Sequence, residues 1–225
     1  MEERRLHYGI NTNFNRLVYI KPDYLKVSLD GWSEGSYEQR RGVRRYEVVR
    51  KNIQAYSVWK RQNSPDTSLG IQCVVKSEDD VEKFYAANRD LDVDYIVFRP
   101  LESTGGKAYA GAAEKAVAAN IIQSVKKIAQ ADERVTLNFK WNMLDVQETS
   151  CVASWAQIAL NEMGEVMYCC HKPYQVLGHI MDEDIMEKKA AAVTDMRTCD
   201  IPCRMTAPNA FVANAMAKRK DACFI

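Results

Sequence analysis

Apolar and polar positions change period several times along this chain, and each change marks an element. Residues 6–11, Leu-His-Tyr-Gly-Ile-Asn, read as a short strand running into a polar loop of Asn11, Thr12, Asn13 and Asn15. Residues 24–29, Tyr-Leu-Lys-Val-Ser-Leu, alternate as a second strand, closed by the turn Asp30-Gly31. The stretch after it, rich in Gly, Ser, Arg and Glu, reads as a loop. From Arg45 to Gln62 the apolar residues Val48, Val49, Ile53, Tyr56 and Trp59 recur at helical spacing. Ser68 to Val75 is a third strand. Ser77 caps a helix whose first turn is acidic and whose inward residues are Val81, Phe84 and Tyr85. Tyr95 to Phe98 is a fourth strand ending at Arg99-Pro100. Gly111 to Ala129 is an Ala-rich helix, and Val135 to Trp141 a fifth strand.

Regular alternation of strand and helix predicts a parallel α/β sheet. Five strands are too few for a closed eight-stranded barrel, which takes roughly 250 residues. Element order alone leaves a doubly wound sheet and part of a barrel both open. The alternation stops near 142–150 and the cysteines begin. The expected domains are therefore 1–143 and 144–225.

Composition narrows the classes. The chain has 225 residues, 47% of them hydrophobic, and a formal net charge of +1. Such a balance gives no argument for nucleic acid or an anionic membrane as partner, and Lys218-Arg219-Lys220 is too short a basic run to change that. No apolar stretch approaches the ~18 residues of a membrane span. The N-terminus has no apolar core of a secretory signal, and Cys223 stands one position off a prenylation box. A cytoplasmic chain is the expectation. Seven cysteines there read as metal ligands or free thiols before disulfides. No Ser-His-Asp order and no glycine-rich phosphate loop stands out.

The cysteine spacing carries the most chemistry. Cys151 is followed by twelve residues and Gly164, then four residues and Cys169; Cys199 and Cys203 close the set. Thiolates in two spaced pairs, one beside a glycine turn, suit an iron–sulfur cluster or a zinc ion; buried core thiols are the plain alternative. Val152, Trp155, Val166 and Met167 would supply an apolar shell. On a strand Cys169 and Cys170 would point to opposite faces, so only one could serve the same cluster, and the glycine offset favours Cys169. Cys73 and Cys223 have no partner by spacing and read as structural. Ser28 and Asp30 lie on one strand face at a carboxyl end, where parallel sheets place ligand groups; an ordinary strand exit reads equally well. Arg99, at another strand end, suits a carboxylate or a nearby acid. His7 stands near a strand start and His179 follows Gly178; His171, after Cys170, reads as a solvated turn histidine, with ligation as the alternative. The run Met181-Asp182-Glu183-Asp184 reads as a helix cap, not a metal site.

On these residues the chain resembles the radical S-adenosylmethionine enzymes that carry a C-terminal SPASM or Twitch auxiliary-cluster domain. The likeness rests on Ile10-Asn11-Thr12-Asn13, Val27-Ser28-Leu29-Asp30-Gly31, Gly42-Val43 with the helix after it, and the strand before Arg99-Pro100. More specific are Cys151-x12-Gly164-x4-Cys169, Gly178 and Cys199-x3-Cys203. The resemblance implies a partial (β/α) TIM-like barrel followed by a small cysteine-rich iron–sulfur domain. It implies an auxiliary [4Fe–4S] cluster on Cys151, Cys169, Cys199 and Cys203, and places Ser28 and Asp30 near the cofactor ribose or the substrate.

The departures matter as much. The Cys-x3-Cys-x2-Cys motif of the catalytic cluster and the Gly-Gly-Glu-like segment are absent, and Phe14 stands where glycine is usual. Counted by resemblance, the chain begins near the third barrel strand. S-adenosylmethionine binding then needs the missing N-terminal part. The implied partners are a complementing N-terminal polypeptide and a small-molecule or peptide substrate. The competing class is a non-catalytic iron–sulfur or zinc module, or a degenerate relic. A barrel begun at its third strand is also expected to leave an open edge at 6–11, with Ile10, Val27 and Leu29 short of neighbours.

Overall fold

A computed structural model describes residues 7–101, 112–143, 151, 157–170 and 172–192. The chain divides into two compact units between Asn142 and Met143.

The first unit is built on a five-stranded parallel sheet. Its strands are β1 (Gly9–Thr12), β2 (Tyr24–Ser28), β3 (Ser68–Val75), β4 (Tyr95–Pro100) and β5 (Val135–Leu137), in the spatial order β1-β2-β3-β4-β5. The helices are α1 (Glu34–Arg41), α2 (Tyr46–Asn63), α3 (Glu78–Asn88) and α4 (Ala112–Ala129). A doubly wound sheet reverses its strand order at a switch point. This sheet does not reverse, and right-handed crossovers in one direction put the connecting helices on one side.

The side chains agree with that arrangement. Leu25, Val27, Leu69, Ile71, Cys73, Val75, Ile96 and Phe98 alternate onto one face and are fully buried. Phe84 of α3 meets Phe98 edge-on at 5.6 Å between ring centroids, which fixes that face as the helix side. Val49, Ile53 and Tyr56 of α2, with Ile121 and Val125 of α4, complete the core. Each fully buried aliphatic side chain contributes about 1.5–3 kcal/mol relative to exposure. The opposite face carries Asn11, Lys26, Ser28, Gln72 and Arg99, brought level by the register Asn11↔Lys26, Ser28↔Gln72 and Val74↔Arg99. At its amino end, the Tyr24 ring lies over Gly9 and the Tyr95 ring over Gly70, where a Cβ would collide with the rings. Burial pushes the Tyr95 hydroxyl up to about 12.

Several elements differ from the sequence reading. The loop after Asp30 contains α1, which buries only Tyr37 and so shows no apolar period. Its signal is a capping box: Ser33 Oγ accepts from the Ser36 N–H at 3.2 Å, and Ser36 Oγ accepts from the Ser33 N–H at 2.9 Å. β5 is three residues long and gives way to a 3-10 turn at Phe139–Met143, with the Trp141 indole donating to the Phe98 carbonyl at 2.9 Å. Among the described residues β1 pairs on one side only, yet Val27 and Leu29 are fully buried and Ile10 is half-buried. The expectation that Val27 and Leu29 lack neighbours is therefore wrong: both sit on the helix side, which this chain covers itself. Tyr85 is half-buried, its hydroxyl donating to Asp132 at 3.1 Å.

The α4–β5 connection is fixed by charge. Arg134 holds Asp132 at 2.7 Å and its guanidinium also donates to the carbonyls of Leu91 and Arg89. The Arg134 hydrogen bonds hold the Asp132 carboxyl down at about 2. A depressed carboxyl contributes stability above its unfolded value and loses it as pH falls through the folded one. Asp132→Asn is expected to cost about 1 kcal/mol at pH 7, discounted because Arg134 is partly exposed and salt screens the pair. In urea melts across pH, the difference from wild type should shrink from about pH 5 and be gone only at about pH 1, below both the folded and the unfolded values.

The second unit is a three-stranded antiparallel sheet, β6 (Ala159–Leu160), β7 (Glu165–Met167) and β8 (Val176–His179), in that order, followed by α5 (Ile185–Ala191). The acidic run precedes α5 as expected, although Asp184 makes no side-chain cap bond. Asp182 instead accepts the His179 N–H at 2.9 Å, and Asp184 pairs with Lys188 at 2.9 Å. Among the described residues no helix is long and apolar enough to cross a membrane.

Candidate functional sites

Among the described residues, each unit has one place where chemistry-bearing residues converge. In the first unit it is the carboxyl end of the sheet. Asp30 follows β2 with φ 35°, a left-handed conformation unusual outside glycine, and is 7% exposed. Its carboxylate is already engaged: Oδ1 accepts the Val74 N–H at 2.7 Å, and Oδ2 is paired with the Arg41 guanidinium. Asp30 thus ties the β2 exit to the end of β3. A neighbouring bracket repeats the device. Arg40 donates to the Val74 carbonyl at 2.7 Å and pairs with Asp80 at 2.7 Å, while Asp80 also accepts the Lys76 N–H at 2.7 Å. Arg40 stacks on the Trp32 ring at 4.7 Å. A cavity of about 540 Å³ opens among Asp30, Arg40, Arg41, Lys76, Ser77 and Asp80.

Ser28, the other sequence candidate here, is half-buried on the polar face beside Gln72. Arg99 lies on the same face, nearer the carboxyl ends. Neither arginine of α1 stood out in the sequence, because α1 itself did not. The loop after β1 holds a second left-handed residue, Phe14, at φ 53°. Its ring packs edge-on against Tyr56 at 5.8 Å and its carbonyl accepts from Asn52 at 2.8 Å. Phe14 thus combines a left-handed backbone with a buried aromatic ring.

In the second unit the convergence is of cysteines. The β6–β7 hairpin turns at Gly164, with φ +79° and His179 Nε2 only 2.6 Å from where a Cβ would stand. Asn161 Oδ1 shapes the turn by accepting the N–H groups of Met163 at 3.0 Å and Glu165 at 2.9 Å. His179 is exposed, and both of its ring nitrogens are bonded. Its Nε2 lies 3.2 Å from the Met163 carbonyl, and its Nδ1 accepts the Met181 N–H at 3.1 Å, so it joins two turns as the Nε2–H tautomer.

Beyond the hairpin, Cys151 and Cys169 are buried in one cluster with Tyr168, and Leu177 and Ala192 pack against it. Tyr168 donates its hydroxyl to the Cys151 carbonyl, an anchor with no signature in the amino-acid pattern. Val166 is fully buried and Met167 half-buried, while the adjacent Cys170 is exposed. Two neighbouring buried thiols in an apolar setting are donor chemistry that an iron–sulfur cluster accepts. Cys199, Cys203, Cys223, Val152, Trp155, His171 and the 218–220 basic run lie outside the described residues. Cys73 sits in the core of the first unit, where burial pushes its thiol well above its ordinary value. It has the inert character of a packing residue.

Fold and sites together define a one-directional parallel α/β sheet, followed by a small antiparallel unit that buries a cysteine pair. Comparisons with protein families and with curated proteins find no match.

Proposed function

We propose that this chain is the C-terminal part or a subunit of a radical S-adenosylmethionine enzyme, contributing strands of a partial (β/α) barrel and an auxiliary [4Fe–4S] domain. The observation that carries the reading is the shared burial of Cys151 and Cys169 beside a hairpin that turns at Gly164. Cys151, Cys169, Cys199 and Cys203 would hold the cluster. Such a cluster supplies an electron relay or a point of substrate attachment.

The sheet supports the same reading. It is singly wound, and it has an apolar helix side and an opposite side bearing Asn11, Lys26, Ser28, Gln72 and Arg99. A buried sheet in a doubly wound fold is apolar on both faces. A barrel wall that faces a ligand has reason to be polar on one. Ser28 remains a candidate to meet cofactor or substrate. Asp30 acts first on this chain, holding the strand ends in place through Val74 and Arg41.

No cysteine precedes Cys73, so the chain has no thiolates for a catalytic cluster at its first strands. The test is a cofactor-cleavage assay with dithionite as reductant. The chain alone should form no 5′-deoxyadenosine above a protein-free control. Together with a polypeptide carrying the first two strands and the Cys-x3-Cys-x2-Cys motif, it should form it. Product from the chain alone would contradict the subunit reading. No gain on complementation, with the auxiliary cluster intact, would favour a non-catalytic iron–sulfur module.

A further inference from the structure

We propose that Gln157 and Lys189 set the reduction potential of the auxiliary cluster, Gln157 by donating its side-chain amide N–H to a cluster sulfur and Lys189 by holding an ammonium beside it. The inference rests on the cluster reading and assigns two residues outside the thiolate set. Gln157 Nε2 is buried with no hydrogen-bond partner among the described residues. A buried amide donor left unpaired is costly, and native chains rarely keep one without a use. Its position names the acceptor. β6 and β7 pair antiparallel, with Ala159 opposite Met167 and Leu160 opposite Val166. Continued by two residues, that register sets Gln157 opposite Cys169, on one face of the ladder.

Lys189 comes to the same place from α5. It is 4% exposed and donates its Nζ to the Gln157 carbonyl at 2.8 Å. The Ala192 N–H closes the end of α5 on the Lys189 carbonyl at 3.3 Å, and Ala192 itself packs against Cys151, Tyr168 and Cys169. The helix that carries the ammonium therefore ends on the cysteine pair. An ammonium held out of water acts strongly on any charge near it. A [4Fe–4S] cluster on four thiolates is an anion and gains a further negative charge on reduction. A donor to its sulfurs and a cation beside it both favour the reduced form, so both residues raise the potential.

The experiment reconstitutes the full chain anaerobically, counts its iron, and follows a mediated dithionite titration by electron paramagnetic resonance and visible absorption. The chains compared are wild type, Gln157→Leu, Lys189→Met and Lys189→Arg. Gln157→Leu keeps the backbone carbonyl that holds Lys189, so the two contributions separate. Gln157→Leu and Lys189→Met should keep the wild-type iron, and each should lower the equilibrium constant for one-electron reduction about tenfold, a fall of about 59 mV. Lys189→Arg keeps the charge and should titrate with wild type. An unmoved potential in either of the first two variants, with iron retained, overturns this proposal and leaves the cluster reading standing. So does a Lys189→Arg potential as low as that of Lys189→Met, or loss of iron in Gln157→Leu, since the amide would then be serving assembly. If Lys189→Met fails to fold, Gln157→Leu decides. A wild-type chain that takes up no iron overturns the cluster reading and this one with it.

Discussion

Cys169→Ser is expected to lose most of the iron that the wild-type chain takes up on anaerobic reconstitution, while Cys170→Ser and Cys73→Ser keep theirs. The three thiols have different surroundings for physical reasons. Cys169 is buried beside Cys151, in the cluster that Tyr168 ties to the Cys151 carbonyl. Cys170, one residue on, is exposed. Cys73 lies in the strand core, and burial disfavours its thiolate, the form a metal needs. A serine hydroxyl at 169 is a poor substitute for thiolate. Iron and sulfide analysis of the three variants checks the ranking, and full iron in Cys169→Ser would remove that residue from the ligand set.

Asn88→Ala is expected to destabilise the first unit by about 3 kcal/mol, with little effect on iron uptake. Asn88 is fully buried at the end of α3 and uses its whole carboxamide. Its Nδ2 donates to the carbonyls of Gly31 at 3.1 Å and Phe84 at 2.9 Å. Its Oδ1 accepts from the Tyr46 hydroxyl and from Arg50, each at 2.9 Å. One side chain thereby joins the β2 exit, α2 and α3. Alanine would leave the Gly31 carbonyl and the Tyr46 hydroxyl without these bonds, and burial already raises that hydroxyl above its ordinary value. Urea denaturation followed by far-ultraviolet circular dichroism measures the loss; a change below 1 kcal/mol would mean that water or a neighbour replaces these bonds.

These two residues illustrate what the amino-acid pattern discloses. Elements that bury an apolar stripe were legible. Val49, Ile53 and Tyr56 announced α2, the β-branched run announced β3, and Ser77 with its acids announced the start of α3. Elements held mainly by polar bonds were not. α1 has one buried residue, and β6 to β8 are two to four residues long, too short for a period to register. The same limit applies to the sites. Cysteine spacing about a glycine pointed to Cys151 and Cys169, and those two are buried together. The use of Asp30 could not be read, because its partners Val74 and Arg41 are brought to it by strand register and by a helix without an apolar signature.

The central claim, that four cysteines of this chain enclose one auxiliary cluster, is tested most directly by counting iron, acid-labile sulfide and zinc per chain after anaerobic reconstitution. Cys151, Cys169, Cys199 and Cys203 make one complete set of thiolates, and a [4Fe–4S] cluster takes four. The account predicts about four irons and four sulfides per chain, with no stoichiometric zinc. About eight irons per chain, or one tightly held zinc with no iron, would contradict it.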